Sequence, residues 1–281
     1  MISDLIYDVG MHNGDDTAYY LSLGYKVIAI DASPELVAKA KTRFNAQIKE
    51  NKLEVLNIGI DSKEGLLDFY LNKTDSVWNS FNKEIATRGG EDYEIIKIKT
   101  NSIDHLMKER GVPHYMKIDI EGNDILCLTS LFNCEEKPCF ISVELSDIVL
   151  INKLHELGYT KFKIIEQSSL LPLEIPLSKE YEAYRTHKAF QHSMKLYIRI
   201  VRKIFGKYIN RNLERKYKYL FNYNHPFGSS GTFGKLLSGK WLNFEEASKV
   251  YLFYKNYYNN TPGNIDYGFW VDIHATKTEE K

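Results

Sequence analysis

The densest chemistry in the chain lies in Asp8-Val9-Gly10-Met11-His12-Asn13-Gly14-Asp15-Asp16-Thr17. An acidic residue closes an apolar run, a Gly-x-x-x-Gly turn follows and a helix-like stretch begins, so a ligand can lie against bare backbone at a helix N-terminus. A dinucleotide fingerprint wants Gly-x-Gly-x-x-Gly to seat a pyrophosphate. Here His12 takes the second glycine's place and Asp8, Asp15 and Asp16 surround the loop. Carboxylates repel a pyrophosphate and suit a cation. S-adenosylmethionine carries an ammonium and a sulfonium, so Asp8, Gly10, Gly14, Asp15 and Thr17 are candidate contacts for it. Asp31 ends the next apolar run, 21 residues after Gly10, where a carboxylate can accept both ribose hydroxyls or act only as a turn residue. Ser33 can meet the adenosine as well as cap a helix. Ile60 and Asp61, at the end of the third run, fall where adenine contacts are usual.

A second acidic group lies at the ends of later strands: Asp119 within Met116–Ile120, Glu121 and Asp124 after it, and Glu144 within Phe140–Leu145. In an open α/β sheet the carboxyl ends of the strands face the ligand crevice, so these side chains and the first loop should converge. If that ligand donates its methyl group to a hydroxyl, the transfer would need alignment, exclusion of water and removal of a hydroxyl proton. Asp119 and Glu121 lead as the base, followed by His12 and His274. Asp119 could instead hold the cofactor's ammonium or pair with Lys117, and Glu121 could simply cap the next helix. Mg2+ bridging Asp119, Glu121 or Glu144 agrees with hard-cation chemistry, but spacing does not indicate it and no metal is assigned. Glu144, with Ser229, Ser230 and Thr232 of the glycine-rich Gly228–Gly234 segment, is expected to meet the substrate; the alternative for that segment is a flexible linker. Asn79 and Ser80 border the expected adenine pocket, whereas Trp78 and Phe81 read as core.

These residues need a scaffold, and short apolar runs alternate with helical patterns to about residue 166. The strands expected are Leu5–Val9, Tyr25–Ile30, Leu53–Ile60, Met116–Ile120, Phe140–Leu145 and Phe162–Ile165, with extended pieces at Gly65–Leu71 and Glu94–Lys99. Helices are expected from Asp15 to Leu23, from Ser33-Pro34 onward, over Ser102–Arg110, up to Leu131 and over Asp147–Leu157. Such alternation implies a parallel sheet covered on both faces. Beyond residue 167 the texture changes: 12 of the 20 tyrosines lie in 181–281. Lys195–Lys218 carries nine basic residues against Glu214, in a near-helical pattern broken at Gly206. That basic amphipathic helix either contacts a membrane surface or phosphate, or packs one stripe on the core while its lysines face water. Phe269–Ala275 alternates as a last strand.

The whole chain has 281 residues, 37 basic and 37 acidic, which argues against nucleic acid as a partner. Cys127, Cys134 and Cys139 match no zinc spacing and suggest reduced thiols in a cytoplasm. No signal peptide or membrane-spanning run is visible. The composition leaves the oligomeric state unknown.

Asp8-Val9-Gly10-x-x-x-Gly14-Asp15-x-Thr17, Met116-Lys117-Ile118-Asp119-Ile120-Glu121-Gly122 and Val143-Glu144 resemble the FkbM family of S-adenosylmethionine-dependent methyltransferases. The resemblance covers roughly residues 5–166 and extends to Gly228–Gly234, Trp241-Leu242 and Trp270-x-Asp272-Ile273-His274-Ala275. It implies the class I methyltransferase (Rossmann-like) fold: seven strands, the last antiparallel, helices on both faces. Residues 1–167 with 267–281 would form the cofactor-binding core. Residues 168–266 would be a mainly helical, Tyr/Lys-rich insertion before the last strand that recognises substrate, which departs from the shortest family members. The function expected is O-methylation of a sugar, nucleotide-linked sugar or other polar, including phosphorylated, small metabolite, as in polysaccharide biosynthesis. A non-catalytic scaffold on the same fold and an N- or phosphoryl-oxygen methyltransferase are the alternatives.

Overall fold

The computed structural model describes residues 1–87, 92–179, 181–183, 185, 186, 197, 200, 201, 203, 223–226, 228–260 and 269–277. The basic helix expected over 195–218 lies outside these, save for the four isolated positions between 197 and 203.

The main sheet contains β1 (Ile2–Val9), β2 (Lys26–Asp31), β3 (Leu53–Asn57), β7 (Pro113–Ile118), β8 (Phe140–Glu144), β9 (Lys161–Glu166), β10 (Leu171–Pro172) and β11 (Val271–Thr276), in the order β10-β9-β11-β8-β7-β1-β2-β3. Strands β3, β2, β1, β7 and β8 run parallel, and β11 inserts antiparallel between β8 and β9. This is the class I arrangement with the antiparallel strand where the sequence places it. The sheet has eight strands rather than seven because the chain turns back after Glu166 and adds the two-residue β10 at the edge. The inner strands are near-continuous apolar runs because both faces are covered; Ile6, Tyr7, Val9, Ile141 and Val143 are fully buried.

Local signals set the helices. Pro34 opens α2 (Pro34–Arg43), and the Ser33 hydroxyl accepts from the Leu36 amide at 3.5 Å. Asp147 caps α7 (Ile148–Glu156) by accepting from the Val149 amide. α1 (Asp15–Ser22) lacks a side-chain cap and starts instead at Gly14, whose φ is 79°. The remaining helices of the first half are α3 (Asn45–Lys49), α4 (Lys83–Ala86), α5 (Ile103–Arg110) and α6 (Asp124–Ser130).

The third expected strand, Leu53–Ile60, divides in two. The Asn57 amide donates to the carbonyls of Asp31 and Ala32 at 3.1 and 3.0 Å and ends β3. The chain then crosses into a second sheet, where β4 (Gly59–Ile60) pairs with β6 (Tyr93–Asn101), itself antiparallel to β5 (Gly65–Asn72).

The described parts of the insertion do not stand apart from the core. α8 (Phe244–Asn260) contributes Ala247, Val250, Tyr251 and Tyr254 to the same buried cluster as Ile151, Leu154 and Ile164. Phe233 stacks on Tyr115 with ring centroids 4.0 Å apart and planes 7° apart. The three cysteines are free, and among the described residues no helix is long and apolar enough to cross a membrane.

One glycine is fixed by close packing. Gly10 has φ 83°, and a Cβ placed there would stand 1.7 Å from the Asp119 carbonyl oxygen. Gly10→Ala therefore forces the first loop away from β7. Its expected cost is roughly 2–4 kcal/mol in denaturant unfolding, since left-handed strain and a backbone clash add; an unchanged midpoint would mean the loop does not pack so closely.

Candidate functional site

The carboxyl ends of β1, β2, β7 and β8 open into a cavity of about 530 Å³. Its walls include Gly10, His12, Asp15, Asp31, Ile60, Asp119, Glu121, Glu144 and Ser229, all singled out by the sequence. The first loop hangs from β2: the Gly10 and Met11 amides donate to the Ile30 carbonyl at 2.9 and 3.0 Å. Asp31 spans two elements, accepting from the His12 amide at 2.9 Å and from the Ser33 amide at 2.8 Å. Burial outweighs those two donors and pushes its carboxyl up to about 6. Each oxygen retains acceptor capacity toward the cavity.

Lys117 sits behind the loop, 4% exposed. Its ammonium donates to the Gly10 carbonyl at 2.8 Å and stands 3.5 Å from Asp8, 3.7 Å from Asp16 and 3.5 Å from Asp119. Asp16 in turn accepts from the Ser229 hydroxyl at 2.5 Å and the Ser230 amide at 3.1 Å. One buried cation thus ties together β1, the first loop, α1 and the glycine-rich segment. The segment is anchored rather than a linker, and the Tyr19 hydroxyl further donates to Thr232 at 3.0 Å.

Eight expected site residues do not line the cavity. Asp8 is fully buried, accepts from the Thr17 hydroxyl at 2.5 Å and faces Lys117, so both Asp8 and Thr17 are spent on the scaffold. Gly14 packs on Phe44 and Ser33 caps α2. Asp61 donates its amide to the Asn101 carbonyl in the second sheet. Ser230 and Thr232 are buried beneath the surface of the segment. His274 is 2% exposed in the middle of β11, where burial and then Lys163 push its imidazole down to about 3, and it does not reach the cavity wall.

Other residues are gained. Trp78 and Phe81 line the cavity instead of lying only in the core, joined by Ile58, Phe69, Val77 and Trp270. The wall therefore combines these apolar side chains with the carboxylates. Spacing gave no signal for Ile58 or Val77, but Trp270 belongs to the Trp-x-Asp run already noted. His12 has φ 48° and its Nε2 lies 2.9 Å from the Ser76 hydroxyl, linking the first loop to the 76–78 turn. Burial and then Lys117 lower its pKa, so it is neutral near pH 7.

Asp119, Glu121 and Glu144 form a cluster in the cavity wall and offer carboxylate oxygens within 4.8 Å of one another. Glu121 reaches it through a left-handed turn, φ 48°, followed by Gly122 at 104°. The Ser80 hydroxyl holds that turn by donating to the Glu121 carbonyl at 2.7 Å. Glu121 does not cap α6; Asp124 closes the turn by accepting from the Ile120 and Gly122 amides. Burial, and next the Asp119 and Glu121 charges, hold the Glu144 carboxyl well above the usual range.

The family described as "Methyltransferase FkbM domain" matches residues 8–161, more than half of the chain. Among solved structures, a methyltransferase FkbM from Methylobacillus flagellatus is similar at 17% identity and TM-score 0.41, over 56% of this chain and 38% of that one. A precorrin-6y C5,15-methyltransferase from Geobacter metallireducens gives 9% identity and TM-score 0.33, over 60% and 71%. An O-methyltransferase from a trans-AT polyketide synthase of Brevibacillus brevis, in complex with S-adenosyl-L-homocysteine, gives 13% and 0.31, over 76% and 63%. No curated protein matches the chain.

Proposed function

The chain belongs to the FkbM methyltransferase family, and on that premise we propose that it transfers a methyl group from S-adenosylmethionine to a hydroxyl of a sugar, nucleotide-linked sugar or other polar metabolite. The observation that carries this is the convergence on one cavity of a glycine loop, the Asp31 carboxylate and the Asp119, Glu121 and Glu144 group. Asp31 would accept the ribose hydroxyls, with the adenine among Ile58, Ile60, Phe69 and Phe81. The methionine end would lie along Gly10 and Met11 with its ammonium toward Asp119. That leaves Glu144, Glu121, Ser229 and Trp270 around the acceptor.

In the reaction the acceptor oxygen attacks the methyl carbon in line with the sulfur. A C–O bond forms as the C–S bond breaks, and the sulfur keeps that electron pair. The hydroxyl proton passes to a carboxylate, for which Glu144 is the best placed: its raised proton affinity narrows the gap to an alcohol. Among the described lining residues Lys117 is the only lysine or arginine, set against seven carboxylates. The part of the acceptor inside is therefore uncharged or cationic, and a phosphate on it would lie outside. The insertion supplies Gly228 and Ser229, which suits it to substrate recognition.

Calorimetry tests the cofactor half. Asp31→Ala should weaken S-adenosylmethionine binding about 10–100-fold, the worth of one or two hydrogen bonds to a charged group. Undiminished binding by a folded variant would sink the assignment. A screen of hydroxylated sugars for S-adenosylhomocysteine release tests the acceptor half, and cofactor binding with no turnover on any of them would favour a non-catalytic scaffold.

A further inference from the structure

We infer that Asp119, Glu121 and Glu144 form a binding site for one hard divalent cation, Mg2+ or Mn2+. Three elements bring the ligands together. Asp119 and Glu144 directly follow the paired Ile118 and Val143 of the parallel β7 and β8, and Glu121 returns to them through its left-handed turn. Their oxygens lie within 4.8 Å of one another, a spacing one ion can span.

A fourth carboxylate supplies the independent sign. Asp272 stands directly opposite Glu144 across the antiparallel β8–β11 pair, so the two side chains project from the same face of the sheet. It is 2% exposed; its Oδ1 accepts the Gln167 amide at 2.6 Å, and its Oδ2 has no hydrogen-bond partner. A buried carboxylate oxygen without a donor, beside three more carboxylates, calls for positive charge nearby. Lys117 does not supply enough, because its ammonium is 3.5 Å from Asp119 but also serves Asp8 and Asp16. The donors are all oxygen, with no cysteine or histidine among them, which selects a hard ion over zinc. Asp272 would act from behind the ligands as a buried negative charge.

The inference rests on the methyl-transfer reading only for its purpose: a cation here would bind the acceptor's hydroxyl and lower its pKa. Its test needs neither cofactor nor acceptor. Mn2+ is titrated into the full chain and free Mn2+ is followed by electron paramagnetic resonance, with Mg2+ as competitor. One Mn2+ per chain at sub-millimolar concentration, displaced by Mg2+, is the expected result. Glu121→Gln, at the cavity wall, should weaken it at least tenfold, and Glu144→Gln likewise, with unchanged circular dichroism. No stoichiometric binding up to several millimolar overturns the inference, as does binding that both variants retain; the group would then serve protons or an acceptor ammonium. S-adenosylmethionine binding, measured in parallel without metal, keeps the two ideas separable. Its loss alone overturns the cofactor assignment, and loss of Mn2+ binding alone overturns only the cation site.

Discussion

Lys117→Met should lower folding stability by about 3–5 kcal/mol near pH 8, the penalty for leaving buried carboxylates without their cation, and by much less near pH 5. In the parent, burial raises Asp8 to about 6 even though Lys117 draws it down. The unfolded chain holds that carboxyl near 3.9. Between those values the native state binds more protons than the unfolded state, so stability falls as pH rises through the window and then levels off. Removing the ammonium takes away the downward pull, the folded pKa climbs, and the fall continues to higher pH. The gap between variant and parent therefore widens from pH 5 to pH 8. Denaturant unfolding across that range measures it. Lys117→Arg retains the charge and should keep the parent's pH dependence even where its bulk costs stability. A gap of constant size would show that Lys117 contributes packing and not charge.

That hub also shows what the sequence could and could not convey. The glycine loop, the strand-end Asp31 and the Lys-Ile-Asp-Ile-Glu-Gly run were legible because each is local: a turn, a carboxylate and a strand end within a few residues. Alternation of strands and helices conveyed a parallel sheet covered on both faces, and the antiparallel last strand came from the family resemblance. Which way Asp8 points was not legible. In a parallel strand buried on both faces the apolar run is continuous, so alternation no longer separates inside from outside. Asp8 pairs in register with Lys117 on the neighbouring strand, 109 residues away, and only that pairing turns it from ligand contact into scaffold. His274 was misplaced for the same reason, since the last strand has both faces buried and every one of its residues is covered. Trp78 and Phe81 were read as core because large aromatic residues usually are; Phe81 does touch Phe69, with ring centroids 4.8 Å apart, but a cavity wall is also apolar. The split of the third strand had a visible cause only in retrospect, in an asparagine whose side chain donates to two carbonyls at the neighbouring strand's end.

Glu144→Gln should reduce turnover about 10²–10⁴-fold, the usual worth of a positioned base, while S-adenosylmethionine binding changes little. The amide keeps the shape of the side chain but cannot take the acceptor's proton. The pH profile identifies the role. Burial and the Asp119 and Glu121 charges hold the parent's carboxyl above its ordinary range, so its ionised, proton-accepting form grows as pH rises and kcat should climb with it. The variant loses that limb. If a divalent cation occupies the Asp119, Glu121 and Glu144 group, it favours the ionised carboxylates and the ionised hydroxyl together. The limb then moves to lower pH when Mn2+ is added, and the same substitution removes both the limb and its displacement. A variant that turns over at the parent's rate with the parent's profile would leave the proton to Asp119 or Glu121. A profile that loses its limb yet ignores Mn2+ would keep Glu144 as the base and give the cation no part in proton removal.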